Sequence, residues 1–250
     1  MVLQQEFERE GNWLFRYRSY LPIIMLVLGL AVFVVSLLRG HGGSVVLMDH
    51  WHAWQLVCLL VSLAGLGVRV FTVGHTPEGT SGRNTRQQLA ESLNTTGIYS
   101  QLRHPLYLGN FLMYLGIAML TCKAGFVLLF CLVYWLYYER IMYCEEQFLQ
   151  RKFGERYLSW ASHTPAFVPR CRRYVSSAYG FSWKKTLKKE KNGVFVLLLI
   201  FSVFDAFACW LHPWMAINKP LLVATLVSGV AYLVLKVIKK RTTWLDEPHR

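Results

Sequence analysis

Arg103, His104, Glu145 and Glu146 are the residues on which any chemistry in this chain would turn. The first two sit in GIYSQLRHPLYLGNF, which begins at Gly97; the others sit in YCEEQFLQRKFGERYLSWASHTPAFVP, which ends at Pro169. A guanidinium and an imidazole offer hydrogen-bond donors and positive charge, and two carboxylates offer acceptors. Between the two polar ends lie apolar runs at 106–122 and 124–138, separated only by Lys123. A helical hairpin of these runs returns both ends to one membrane face, so the four side chains arrive at the same depth. Pro105 restricts His104 to an extended backbone, and Gly109 leaves room for a backbone or a ligand to approach. Consecutive helical residues lie about 100° apart. One of Glu145 and Glu146 is therefore expected to face the site while the other pairs with Arg140 or Arg151. Glu139, seven residues before Glu146, shares its face. Phe153, Tyr157 and Trp160 recur at i, i+4 and i+7, the apolar stripe of a further helix.

Taken together, Arg103-His104-Pro105, Tyr107, Gly109, Glu145-Glu146, Phe153-Gly154, Tyr157, Pro165 and Pro169 resemble the signature of the integral-membrane methyltransferases. That family is typified by isoprenylcysteine carboxyl methyltransferase and the phospholipid N-methyltransferases. The resemblance is confined to residues 97–169. It implies S-adenosylmethionine as methyl donor, bound by this segment on the cytosolic side, with a membrane-lipid acceptor arriving through the bilayer. It sets Tyr99, His104, Pro105, Tyr107, Gly109, Glu145, Glu146 and Tyr157 against the donor, with the segment after Phe153 folding back over it. No metal ligand is among these residues.

Methyl transfer from a sulfonium asks mainly for alignment and the exclusion of water. A carboxylate or phosphate acceptor is already a nucleophilic anion, whereas an amine must first lose a proton, which His104 or a glutamate could accept. Arg83, Arg86 and Arg103 suit bidentate contact with an anion. Arg103, Arg83, Arg86 and Glu146 are accordingly the expected catalytic group. The expected acceptor is anionic, with a lean to a lipid phosphate such as that of a bacterial glycolipid of lipid A type; a prenylcysteine carboxylate and a phospholipid amine stay open. Membrane sterol reductases, which use NADPH, share a related Arg-His-Pro motif and are a rival reading. A non-catalytic membrane scaffold is another.

The elements that must position these residues follow from composition. Of 250 residues, 54% are hydrophobic and 16% charged, which puts the chain among polytopic membrane proteins. Apolar runs at 21–38, 51–70, 106–122, 124–138, 193–211 and 220–238 predict an all-α membrane domain of about six spans. About 20 apolar residues are needed to cross the hydrocarbon, so the third and fourth runs are marginal alone. Of the 27 basic residues, only Arg39, Lys123 and Lys219 fall on one side of such a fold. The positive-inside rule then puts both termini and the site in the cytosol. The net charge of +13 is explained by this topology without nucleic acid, and the N-terminus, with Glu6, Glu8, Arg9 and Glu10 before the first apolar run, carries no cleavable signal pattern.

The chain reads as one membrane domain, 1–250, with a polar loop at 74–105, the signature at 97–169, a basic interfacial linker at 170–192 and a C-terminal hairpin and basic tail at 193–250. Residues 1–20 mix charge with Phe7, Trp13 and Phe15, as an interfacial helix does. The loop is a functional lid or a solvated linker. His41, His50 and His52 beside Asp49 lack the regular spacing of a metal site. Asp205, near mid-helix in the fifth run, is either functional or hydrogen-bonded to a neighbouring helix.

Overall fold

The computed structural model describes residues 2–39, 50–77, 90–170 and 174–247, and these are helical without any strand. The helices are α1 (Leu3–Arg16), α2 (Tyr20–Arg39), α3 (Trp51–Gly74), α4 (Pro105–Met119), α5 (Ala124–Phe153), α6 (Glu155–His163), α7 (Trp183–Leu211) and α8 (Lys219–Arg241), with a 3-10 turn at Gly97–Ser100 before α4. Five of them, α2, α3, α5, α7 and α8, are long and apolar enough to cross a membrane. α4 has 15 residues and at 1.5 Å each spans about 22 Å, less than a hydrocarbon core of about 30 Å. It is a short apolar helix between polar flanks, as the length of its run foretold.

α4 and α5 form the expected hairpin. The turn between them, with Cys122 at φ 54°, reverses the chain within four residues. α5 continues 15 residues past the apolar run at 124–138 and carries Glu145 and Glu146 on this extension. α1 packs along the same extension. Arg140 lies over the Phe7 ring at 3.6 Å and pairs with Glu10, while Arg151 pairs with Glu8. The aromatic residues of 1–20 thus dock on α5 as well as flanking the first span. α7 begins at Trp183, ten residues before the apolar run at 193–211, so the basic residues 184–191 are wound into its first turns. Lys185 is buried there and donates to Thr76 and to the Pro77 carbonyl.

α3 and α4 cross closely because glycines meet at the contact. A Cβ at Gly65 would stand 2.5 Å from the Gly109 carbonyl oxygen, and one at Gly109 would stand 2.6 Å from Cγ of Arg69. Two buried clusters hold the bundle. One joins Phe33, Trp51, Cys58, Phe201 and Phe204 across α2, α3 and α7; the other is aromatic and runs through Tyr107, Phe126, Phe130, Tyr134 and Tyr138. Outward apolar faces, most extensive on α8, where Leu226, Val227 and Val230 are more than 60% exposed, are those a lipid phase would cover.

At the end of the bundle away from the signature, Asp205 is structural. Its Oδ1 accepts from Trp51 Nε1 at 3.0 Å and its Oδ2 from the Asn218 backbone N–H at 2.9 Å, while Asn218 Nδ2 donates to Gln55. The acid ties α3 and α7 to the start of α8, the second of its two expected roles. His52 lies 3.8 Å from it; His41 and Asp49 fall outside the described residues.

Candidate active site

Pro105 opens α4 and keeps His104 out of the helix, at φ −122° and ψ 60°; the restriction before a proline excludes the helical region, but the backbone is not the extended one expected. The backbone N–H groups of Arg103 and His104 donate to the carbonyls of Pro165 and Ala166 at 2.9 and 3.0 Å. The chain after α6 therefore clamps the residues that enter α4. Gly154 makes this return possible: at φ 54° and ψ −131° it breaks α5 from α6 in a conformation that side chains other than glycine's disfavour. α6 then folds back, with Tyr157 buried and Trp160 Nε1 donating to the Tyr99 carbonyl at 3.2 Å.

The imidazole of His104 stands between two carboxylates. Its Nε2 is in hydrogen-bond contact with Glu146 Oε1 at 2.9 Å, and its Nδ1 faces Glu145 Oε2 at 3.6 Å. Arg103 Nη1 donates to Glu146 Oε2 at 2.8 Å and the Tyr107 hydroxyl donates to Glu145 Oε1 at 2.6 Å. The expectation that one glutamate would turn away to Arg140 or Arg151 is corrected. Those arginines are taken by Glu10 and Glu8 of α1, and consecutive carboxylates 100° apart can straddle a ring inserted from another helix. Glu139 is nearly half exposed beside Arg140 and is not part of this group.

Two polar atoms at the cluster are buried without a hydrogen-bond partner, Arg103 Nε and the Tyr157 hydroxyl. Burial, and then the charge of Glu146, push the Tyr157 phenol well above its usual range. Burial and Glu145 do the same to Tyr99. Both phenols therefore keep their protons at neutral pH. Unpaired buried donors are rare because each costs about 1–3 kcal/mol, so their presence suits a ligand with acceptor oxygens, such as an amino-acid carboxylate. Glu145, whose Oε2 is 3.6 Å from His104 and otherwise without a hydrogen bond, has acceptor capacity for an ammonium or hydroxyl group. The donor set thus fits S-adenosylmethionine.

The cluster lies at one end of a cavity of about 900 Å³. Tyr99, Arg103, His104 and Glu145 line this end, with Glu146 and Tyr157 outside the lining; Phe126 and Phe204 line the far, apolar end. Pro105 and Tyr107 also face the cavity. At Gly109 the approach is that of a backbone, the first of the two alternatives expected: its missing side chain serves the crossing with α3. Arg83 and Arg86 fall outside the described residues. Arg69, Asn110 and Glu190, which no motif singled out, line the middle of the cavity. Their one sequence signal was an arginine inside an apolar run and an acid inside a basic one.

Residues 75–156 match the phospholipid methyltransferase family. The cobalt-zinc-cadmium resistance protein of Cupriavidus metallidurans is 33% identical over 165 residues, covering 65% of this chain and 68% of that protein. The nickel-cobalt-cadmium resistance protein of Alcaligenes xylosoxydans xylosoxydans is 31% identical over 150 residues, 59% of this chain and 64% of that protein. A protein-S-isoprenylcysteine O-methyltransferase of Schizosaccharomyces pombe is 38% identical over 77 residues, 31% of this chain and 33% of that enzyme. The chain therefore spans about two thirds of the length of the metal-resistance relatives and a third of the yeast enzyme. No solved structure matches.

Proposed function

This chain belongs to the integral-membrane methyltransferase family of the phospholipid and isoprenylcysteine enzymes, and we propose that it methylates the anionic head of a lipid or lipidated acceptor, with S-adenosylmethionine as donor. The observation that carries this is the His104 imidazole held between Glu145 and Glu146 at the polar end of a cavity that runs on into the apolar interior. When bound, the donor supplies a sulfonium methyl carbon to which an acceptor oxygen bonds while the carbon–sulfur pair leaves with sulfur. The chain's own residues bind, orient and keep the site dry. Glu145 accepts from amino or hydroxyl groups, and Arg103 donates to a carboxylate. Glu146 holds Arg103 and His104 in place, with Tyr157 beside it. The α6 return segment closes over them.

An anionic oxygen acceptor needs no base, whereas the imidazole is not available to serve as one for an amine. His104 Nε2 is committed to Glu146 and Nδ1 faces Glu145, so neither ring nitrogen is presented to an incoming amine. The lean to a lipid phosphate draws no support from the relatives. Several of them are O-methyltransferases of isoprenylcysteine, and in a cysteine the oxygen available is that of the carboxylate. Between the two anions, a lipid-borne carboxylate is the reading these relatives favour. The basic residues crowd the polar end of the bundle, which supports a cytosolic site in an integral membrane protein.

Calorimetric titration of the full chain with S-adenosylhomocysteine and, separately, with NADPH tests the donor. Heat from the first and none from the second is expected; the reverse would replace methyl transfer by hydride transfer. Incubation with labelled donor and total membrane lipid then identifies the acceptor by the species that takes up label.

A further inference from the structure

The middle of the cavity holds an ionic cluster separate from the one at His104. Arg69 of α3 donates through Nε and Nη2 to the two oxygens of Glu190 on α7, at 3.0 and 2.7 Å, and through Nη1 to Asn110 Oδ1 on α4 at 2.6 Å. The side chains of Arg69 and Glu190 are 18% and 4% exposed. Such a pair inside a membrane domain is expensive. Removing two charges from water costs several kcal/mol each, and a well-packed apolar pair of similar volume is often no less stable. Helix cohesion alone does not call for it. Asn110 lies six residues beyond His104, which puts the cluster about 9 Å deeper along α4. Past it the lining is apolar, through Met113 and Ile117 to Phe126 and Phe204.

Resting on the methyl-transfer reading, we propose that Arg69, held by Glu190 and Asn110, is the subsite for the acceptor's head: an anionic group, carboxylate or phosphate, on a long alkyl chain. A guanidinium carries five N–H donors. Three are used by Glu190 and Asn110, and two remain on the terminal nitrogens for an oxyanion. Glu190 fixes the plane of the guanidinium, so little rotamer freedom is left to lose on binding. Arg69 and Glu190 both line the cavity, so an oxyanion bound there reaches the guanidinium without unpairing it. The alkyl chain follows the apolar lining toward Phe204. The reacting oxygen is then presented upward along the Tyr107 and Asn110 face of α4, toward the donor.

The test is native mass spectrometry of the full chain released from neutral detergent, with dodecanoate, dodecyl phosphate and dodecylamine as probes. Retention of either anionic probe about tenfold above dodecylamine is expected, from the strength of charge-assisted hydrogen bonds; which anion is held longer tells carboxylate from phosphate. Arg69→Gln should lower anion retention by about tenfold, and Glu190→Gln should leave it equal or raise it. A purely structural pair predicts the same loss from both. Should Arg69→Gln fail to fold, the double variant Arg69→Gln with Glu190→Gln removes both charges together and should lose the preference for anions. Unchanged anion retention in the folded Arg69 variant, or dodecylamine as the best-held probe, overturns the assignment. S-adenosylhomocysteine heats on the same preparations separate the two readings. If they persist while Arg69→Gln loses anions, both stand. If no preparation gives heat while the wild type still selects anions, only the donor reading falls.

Discussion

The clusters at His104 and at Arg69 both set carboxylates against guanidinium groups on the wall of one cavity, but they are assembled over different distances. Arg103, His104, Tyr107, Glu145 and Glu146 come from the two flanks of a single hairpin, about forty residues apart in sequence. Arg69 and Glu190 are 121 residues apart and meet only because α7 returns beside α3. The first cluster is partly open, with Arg103 and Glu146 about one fifth exposed, and has unpaired donors. The second is more enclosed, and most of its polar atoms are engaged. The first is a local device in the segment the family shares; the second belongs to this chain's surrounding helices.

The sharpest way to break the contrast is at Glu146. Glu146→Gln removes the charge that holds Arg103 and His104 in place; loosening the one charge-assisted hydrogen bond Arg103 would give the donor, worth about 1.5–3 kcal/mol, should lower donor affinity about tenfold or more. Calorimetry with S-adenosylhomocysteine reads this directly, and an unchanged affinity would take Glu146 out of the donor site. Arg103→Ala should act in the same direction. Tyr157→Phe comes next. Its hydroxyl lies against Arg103 and Glu146 without a well-formed hydrogen bond, so a purely structural role predicts little change in thermal stability and none in donor affinity. A donor-binding role predicts about a tenfold loss of affinity with stability retained, and only the paired measurement separates the two.

Hydrophobic periodicity made the fold legible, and a compact motif did the same for the first cluster, because the 106–122 and 124–138 runs allow one hairpin and one depth for their flanks. Less could be read where partners come from elsewhere. Glu145 and Glu146 both face His104 because α1 occupies Arg140 and Arg151, and nothing in the α5 sequence reveals α1 lying alongside. The start of α7 at Trp183 was hidden by its basic residues, which look interfacial until Lys185 is seen to bind Thr76 and Pro77. The Arg69 cluster was the least legible, since three helices contribute one polar residue each and no pair has a motif spacing.

Gly109 links the two clusters and sharpens the division between them. An alanine there would meet Cγ of Arg69 at 2.6 Å and the Gly65 carbonyl at 2.8 Å. Overpacking of this kind costs about 1–3 kcal/mol, so a lower melting temperature is expected. The displaced group is the stem of Arg69, and anion retention should therefore fall more than S-adenosylhomocysteine affinity does. Equal losses would mean that the crossing supports the whole site rather than its deeper half.

The smallest effect on function belongs to Asp205, a buried acid that touches neither cluster. Asp205→Ala strands the Trp51 indole N–H and the Asn218 backbone N–H, each at a cost of about 1–3 kcal/mol, so thermal stability should drop. Methyl transfer per folded molecule should stay within about twofold of the parent, since substitutions without shared partners act independently. Asp205→Asn, which keeps one carbonyl acceptor, should recover part of the stability. A loss of turnover in the alanine variant at a temperature where it is fully folded would make the far end of the bundle part of the catalytic apparatus, and the division between binding clusters and a structural one would no longer hold. Polarity inside the membrane is not by itself a mark of function here: Asp205 hydrogen-bonds to the N–H groups of Trp51 and Asn218, whereas Arg69 and Glu190 line the cavity.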